Sequence, residues 1–448
     1  MNYFKKLKPY EFKNIYSGIE KSEGPIAIRV DINSPVGKNG RISKNGDVNL
    51  RLEEYGYLLK SYSNLGPIIL MAHQGRKKAA DEKPDKDFVN LLDHHLILSD
   101  KSGIRIHFIE YTEGETWEEY SSKVLRRVKC LKRGAAVLMD NVRFWDFEKN
   151  YKTETCPYIP FFKEVGLSAF INDALPVWHR DDASVMFGRH VAPSYIGHIS
   201  MKELRIQHKI MHDTGKKVII IGGKKPKFEA IPRLADRMDV LTGGISGILT
   251  ALLSGHEIGP ANDMLLKKVF KGKEKEIKDY ASIVNEYKIG YPIDFVVSQP
   301  NDRSLSNRFN VPIRDLSKPK YEDYEIFDIG DQTVRQYVKQ INTGNYDWKI
   351  RAGPNGVFEE DFNNGIRLIE NILGTGFVAV GGDTVEELQK YELCKPIMYS
   401  DGTILLGGGS HLDGFAGMPY PSIQDLIENG NGSHSFTQKY QRAPPTIA

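Results

Sequence analysis

The 448-residue sequence is poor in cysteine, holding only Cys130, Cys156 and Cys394, far apart and in no C-x-x-C pair. That excludes a disulfide framework and a zinc knuckle, and it fits a reducing, cytoplasmic setting. No apolar run approaches the roughly eighteen residues of a membrane span, so no membrane partner is expected. The lysines between Met1 and Phe12 are followed by no apolar stretch of the kind that makes a secretory signal. A net charge of only +3 gives no reason to expect a nucleic-acid partner, although a local cluster of cations can still face an acidic ligand. Low-complexity tracts and 20–50-residue repeats are also missing, which excludes a solenoid. So are the signatures G-x-x-x-x-G-K-[ST], G-x-G-x-x-G and H-E-x-x-H. A P-loop, a dinucleotide fingerprint and a zincin site are thereby set aside.

What is present is a folded composition, 40% hydrophobic and 27% charged, in a chain long enough for about two to three domains. Short apolar runs rich in Val and Ile recur. They are Ile26–Val30, Ile68–Met71, Ala135–Met139, Ala169–Ile171, Val218–Ile221, Asp239–Leu241, Phe295–Val297, Phe377–Val380 and Ile404–Leu406. Runs of this length read as buried parallel strands. Helices are expected between them, over Leu52–Tyr62, Phe88–Leu98, Ser122–Lys132, Met201–Met211, Val334–Ile341, Phe362–Ile372 and Thr384–Tyr391. The alternation predicts α/β architecture: two doubly wound parallel-sheet lobes, with ligands beyond the carboxyl ends of the strands. The expected division is a first lobe over 1–199, a connecting helix and hinge over 200–213, a second lobe over 214–430 and a tail over 431–448.

The residues after each strand differ between the halves. In the first half they are Asp31 and Asn33, His73 and Arg76, Arg143, then His179 and Arg180, with Arg51 as a further candidate just before the helix expected over Leu52–Tyr62. Arginine offers planar, bidentate donors that match phosphate and carboxylate. One arginine at a strand tip is commonly a surface residue; several on successive tips of one lobe point to a small anionic ligand, with Asp31 and Asn33 placed for its hydroxyls. In the second half the strands run into glycine: Gly222-Gly223, Gly243-Gly244, Gly381-Gly382-Asp383-Thr384 and Gly407-Gly408-Gly409. Such turns let backbone amides approach phosphates, although any single Gly-Gly is more often just a tight turn. Thr384 and Glu387 have capping-box spacing, so a helix is expected to start there. Asp383 would then face a Mg²⁺ held between phosphates, directly or through water. Lys225 lies where an ammonium stabilises a transferring phosphoryl group, with Lys224 and Lys227 as neighbours that compete for the role. Glu359, in the turn that begins at Gly353-Pro354, is a candidate acceptor for ribose hydroxyls.

In this order the motifs resemble the phosphoglycerate kinase family, most closely its archaeal members. The matching segments are Arg29–Pro35, Ala72–Arg76, Asp140–Phe144, Ile171–Ser184, Met201–Leu204, Ile221–Lys225, Leu241–Gly244, Phe327–Gly330, Gly353–Glu359, Gly381–Thr384 and Gly407–Gly409. The resemblance implies that Asp31, Asn33, Arg51, His73, Arg76, Arg143 and Arg180 bind 3-phosphoglycerate, and that Arg51 and Lys225 act in the transfer. It implies that Gly222, Gly223, Gly243 and Gly244 border the adenosine and Glu359 the ribose. Gly381 to Thr384 and Gly407 to Gly409 would take the phosphates. Departures gather in the second half. Ala352 stands for an Asn, Val380 for a glycine, Leu405-Leu406 for Ser-Thr and Glu229 for the second lysine of bacterial and eukaryotic members, which archaeal members also lack.

The implied reaction is reversible phosphoryl transfer between ATP, with Mg²⁺, and the carboxylate of 3-phosphoglycerate, after a hinge closure that excludes water. A kinase for another small carboxylate and a non-catalytic nucleotide- or phosphoglycerate-binding paralogue are the alternatives. The protein is expected to be a monomer or homodimer.

Overall fold

The structure is a computed structural model that describes residues 24–37, 39–42, 50–78, 85–224, 228–287 and 289–423. The chain forms two compact units. One comprises the described residues up to His208 together with 419–423; the other comprises those of Lys209–Met418.

The first unit comprises β1 (Ile26–Val30), α1 (Leu50–Ser63), β2 (Ile68–Met71), α2 (Leu92–Ser102), β3 (Arg105–Ile109), α3 (Trp117–Lys129) and β4 (Ala135–Met139). It continues with α4 (Tyr158–Val165), β5 (Ala169–Asp173), α5 (Ala183–Met186), β6 (Ser194–Ile196) and α6 (His198–His212), within which the division between the units falls. The six strands form one sheet in the order β3-β4-β2-β1-β5-β6, every pairing parallel. Alternation along β1 sends Ile26, Ile28 and Val30 into one core with α1 and α2. Ala27 joins Ile69, Met71, Val137 and the α3–α4 aromatics on the other face. Both faces are covered, which is why the strands read as unbroken apolar runs. β1 has β2 on one side and β5 on the other, so the strand order reverses beside it, the place where such sheets open a crevice.

The second unit holds β7 (Lys217–Ile221), α7 (Ala230–Ala235), β8 (Asp239–Thr242), α8 (Gly244–Leu253), α9 (Pro260–Val269) and α10 (Glu274–Tyr287). There follow β9 (Asp294–Ser298), β10 (Phe309–Pro312), β11 (Glu325–Ile329), α11 (Asp331–Thr343), β12 (Trp348–Ala352), α12 (Asn364–Glu370) and β13 (Phe377–Val380). It closes with α13 (Gly382–Lys390), α14 (Cys394–Tyr399), β14 (Thr403–Leu405) and α15 (Gly409–Phe415). A parallel sheet, β14-β13-β12-β7-β8, reverses its order between β12 and β7.

Four expectations are corrected here. Phe295–Val297 lies in β9, the middle of a separate antiparallel sheet β10-β9-β11, not in a parallel one. The connection from β9 to β10 carries no α-helix, and a link that short returns the chain antiparallel. The helix expected over Phe88–Leu98 starts at Leu92, where buried Asp140 accepts the amide of Leu91 at 2.9 Å and so takes the place of an intrahelical partner. The capping-box spacing of Thr384 and Glu387 is not a cap. Helix α13 starts earlier, with Gly381 at its N-cap, and Thr384 lies inside it, donating to Val380 O at 2.7 Å. The same Thr-x-x-Glu spacing makes a true capping box at Thr116 and Glu119, where α3 begins before the expected Ser122.

Candidate functional site

In the first unit, the loops at the carboxyl ends of β1, β2, β4 and β5 bring most of the expected polar residues together. His73, buried after β2, is their centre. Arg29 Nη2 lies 2.8 Å from its Nδ1, and arginine only donates, so Nδ1 accepts and the ring proton sits on Nε2. Burial, then the charges of Arg143, Arg29, Arg180 and Lys149, push the His73 pKa well down and keep the ring neutral. His73 therefore offers an N–H donor among cations.

Arg143 is buried; its Nη1 donates to Gly75 O, and its Nε has no hydrogen-bond partner. Burial and the nearby Arg180 lower its pKa to about 10. Arg180 is lowered in turn by burial, against the pull of Asp182, and Arg76 adds to the lowering. Burial and neighbouring cations lower both Arg143 and Arg180 in spite of the carboxylates nearby, which is the electrostatic signature of an anion site. Arg76 is exposed at the edge of this group, and its amide donates to Asp85 at 2.9 Å. Asn33 Oδ1 accepts from Gly75 N at 2.8 Å, tying the β1 and β2 loops together. Arg51, on α1, is turned onto buried Asp31 in an ion pair. His179 accepts from its neighbour Arg180 Nε at 3.1 Å.

Other residues of this site were missed by the sequence reading. Arg29 is fully buried within β1 and donates to Ser184 Oγ at 2.8 Å; Ser184 donates in turn to Glu148 at 2.6 Å. Burial and the field of Asp182 push Glu148 up to about 7, opposed by Arg29. Lys149 lies 2.8 Å from both carboxylate oxygens of Asp182. The signal was an arginine inside an apolar strand, a position that demands a buried partner.

In the second unit a cavity of about 400 Å³ opens beside the sheet reversal. Of the expected nucleotide residues, Gly223, Gly244, Glu359 and Asp383 line it. Its apolar wall is supplied by Ile245, Ile248, Leu265, Phe295, Phe327 and Val357. Phe327 stacks on Phe362 at 5.0 Å, and Arg303 covers Phe327 with its guanidinium 4.6 Å from the ring centre. Gly222, Gly243, Gly381, Gly382, Thr384, Gly407, Gly408 and Gly409 do not line this cavity.

Several of the glycines pack loop against loop. Gly222 N donates to Ala352 O at 2.8 Å, Gly223 N to Pro354 O at 2.6 Å and Gly243 N to Ile221 O at 2.8 Å. A Cβ on Gly222 would lie 2.1 Å from Pro354 O, a backbone atom that cannot step aside. Gly381 N donates to Leu405 O at 3.1 Å, and a Cβ there would be 3.8 Å from Gly408 Cα, so those two loops adjoin. Thr384 is fully buried, with its Oγ1 accepting from Gly353 N at 2.8 Å, and so fastens α13 to the β12 loop. Asp383 is exposed in the first turn of α13. Glu359, also exposed, pairs with Lys224 at 2.9 Å. Lys225 lies outside the described residues.

The family model described as phosphoglycerate kinase matches residues 18–418. The chain belongs to the phosphoglycerate kinase family. It is 28% identical over 374 residues to the phosphoglycerate kinase of Archaeoglobus fulgidus, covering 80% of this chain and 83% of that one. Identity is likewise 28% over 422 residues with the Aeropyrum pernix enzyme, covering 90% and 93%. Among solved structures, the phosphoglycerate kinase of Pyrococcus horikoshii superposes with a TM-score of 0.73 at 23% identity, covering 93% of this chain and 98% of that one. The expected parallel-sheet lobes are thus borne out as the family's fold, with the antiparallel β10-β9-β11 sheet as an addition to the second. Among the described residues no helix is long and apolar enough to cross a membrane.

Proposed function

We propose that this chain catalyses reversible phosphoryl transfer between ATP and the carboxylate of 3-phosphoglycerate, forming 1,3-bisphosphoglycerate and ADP, a step of glycolysis and gluconeogenesis. The observation that carries the reading is the knot of Arg29, Arg143 and Arg180 around neutral His73, at the strand ends of a member of this family. A substrate bearing both a phosphate and a carboxylate is the small ligand such an excess of donors suits. Arg143 Nε and the Nε2–H of His73 are donors for its oxygens, with Arg76 and Arg180 completing the contact and Asn33 reserved for its hydroxyl. Asp31 holds Arg51 in register for the transfer.

In the forward direction a carboxylate oxygen attacks the γ-phosphorus, the bond to the β–γ bridging oxygen breaks, and ADP leaves with that oxygen. The reverse step uses an ADP β-phosphate oxygen as nucleophile. Neither direction needs a covalent enzyme intermediate, so the protein's work is positioning and charge neutralisation. The nucleotide occupies the cavity of the second unit, its base against Phe327 and Val357 and its ribose near Glu359. Its phosphates lie at the N-terminus of α13, where amides lack intrahelical acceptors. The exposed carboxylate of Asp383 there suits Mg²⁺, which is commonly held by one or two carboxylates with the substrate's phosphates and which would neutralise phosphate charge. Lys225 keeps its proposed role at the transferring group. In-line transfer between substrates assigned to separate units requires the closure expected above. A cytoplasmic location and a monomeric or homodimeric state complete the reading.

The test is ADP release by the purified chain with ATP, Mg²⁺ and a panel of small acids. Turnover confined to 3-phosphoglycerate supports the proposal. Turnover only on another acid, or tight binding without turnover, would replace it with one of the two alternatives.

A further inference from the structure

Arg351 lies on β12, between β13 and β7, with its side chain fully buried. Its Nη1 donates to Asn355 Oδ1 at 2.6 Å, and its Nη2 stands 3.4 Å from Glu387 Oε2, whose side chain is also fully buried. Burial lowers the pKa of Arg351 while Glu387 and Asp328 oppose that shift, so the cation is kept by its carboxylate neighbours. Each partner leads to a different wall of the cavity. Asn355 lines it directly, on the loop that also presents Pro354, Gly356 and Glu359. The same side chain presses on the next loop, since a Cβ on Gly243 would come within 2.4 Å of Asn355 Oδ1. Glu387 belongs to α13, whose Asp383 and Glu386 face the cavity.

Stability does not account for this arrangement. A buried ion pair is often matched or bettered by apolar side chains of similar volume, which would suit a central strand. The network is also incompletely satisfied. Asn355 Nδ2 is a buried donor with no hydrogen-bond partner, as is Arg351 Nε, and Glu387 Oε1 is a buried acceptor without one. A buried network that leaves such groups unmet ties the 353–359 loop to α13 at a cost in stability, which points to the cavity wall that both segments form.

We propose that Arg351 is a positioning residue of the nucleotide site: it holds Asn355 and Glu387 so that the 353–359 loop is fixed against α13 and the cavity wall they form keeps its shape for the bound nucleotide. This rests on the assignment of the cavity to ATP. The test is the full-length R351M/E387M double variant, which removes both charges together and leaves neither unpaired, with N355A as the companion that keeps the pair. The readouts are the melting temperature, ADP affinity by calorimetry, and KM for each substrate. The double variant should melt close to the wild type. In both variants KM for ATP and Kd for ADP should rise about tenfold, the equivalent of one lost hydrogen bond, with KM for 3-phosphoglycerate unchanged. Unaltered nucleotide constants in N355A, or equal rises for both substrates, would overturn the inference. A wild-type chain that binds no ADP would instead overturn the nucleotide assignment, and the two failures are distinguished by that control.

Discussion

The two units, which we propose hold one phosphorylated ligand each beyond the ends of parallel strands, are built there from opposite materials. The first uses side chains: the charges of Arg29, Arg143 and Arg180, added to burial, hold His73 neutral, and Arg143 and Arg180 are themselves lowered by burial and neighbouring cations. The second uses backbone, and there the amides of Gly222, Gly223, Gly243 and Gly381 are already taken by neighbouring segments of the protein. The difference teaches that an arginine at a strand end announces a ligand more directly than a glycine does. A cation without enough carboxylates around it needs an anion from outside, whereas a glycine is equally required where two loops of the protein touch.

The comparison can be broken or sharpened by substitution. The largest effect is expected from Arg143→Ala, which removes a buried charged donor from the anion site. It should lower kcat/KM for 3-phosphoglycerate by the equivalent of about 2–5 kcal/mol while leaving ADP affinity unchanged. A loss shared equally by both substrates would show that Arg143 merely supports the fold. Next is Gly222→Ala, whose Cβ would strike Pro354 O. Overpacking of this kind costs about 1–3 kcal/mol in a denaturant titration and should raise KM for ATP rather than for 3-phosphoglycerate. If stability is unchanged, the loops are not in the contact described.

Glu148 supplies a pH-dependent test of the first unit. Its carboxyl is raised to about 7 in the folded state from an ordinary value near 4.5. The folded chain thus holds a proton there that the unfolded chain has lost. That contribution is full below about pH 4.5 and disappears as the pH rises through about 7. The melting temperature of Glu148→Gln should therefore gain on the wild type across that window, and parallel pH profiles would contradict the assignment. The smallest effect is expected at the rim of the cavity. Lys224 and Glu359 form an exposed pair, so Lys224→Ala should change stability by less than about 1 kcal/mol. A larger loss in a thermal melt would mean that the pair closes the cavity wall.

What was legible in the sequence follows from the same physics. Strands β1, β2, β4 and β13 appear with the bounds their apolar runs suggest, because strands covered on both faces have no room for polar residues. β12 escaped notice although it is central, since Lys349 and Arg351 interrupt its apolar pattern. β3 was missed for a different reason. It is an edge strand, with Arg105 exposed and His107 only partly buried. In the site, arginines on loops were legible because their chemistry is independent of context. Arg29 and Arg351 were not, because a buried arginine is explained only by partners distant in sequence, Ser184 and His73 for one and Glu387 for the other. The role of Thr384 was likewise hidden: its hydroxyl looked free for a phosphate until Gly353 N and Val380 O were seen to occupy it.

The central claim is that phosphoglycerate is held by the side chains of the first unit and the nucleotide by the second. Amide hydrogen exchange on the full chain, with each ligand added alone, tests it most directly. 3-Phosphoglycerate should slow exchange in the segments around Asn33, Gly75 and Arg143, and Mg²⁺-ADP in those around Gly356 and Asp383. Protection by 3-phosphoglycerate confined to the glycine loops of the second unit, or by ADP confined to the arginine cluster, would contradict it.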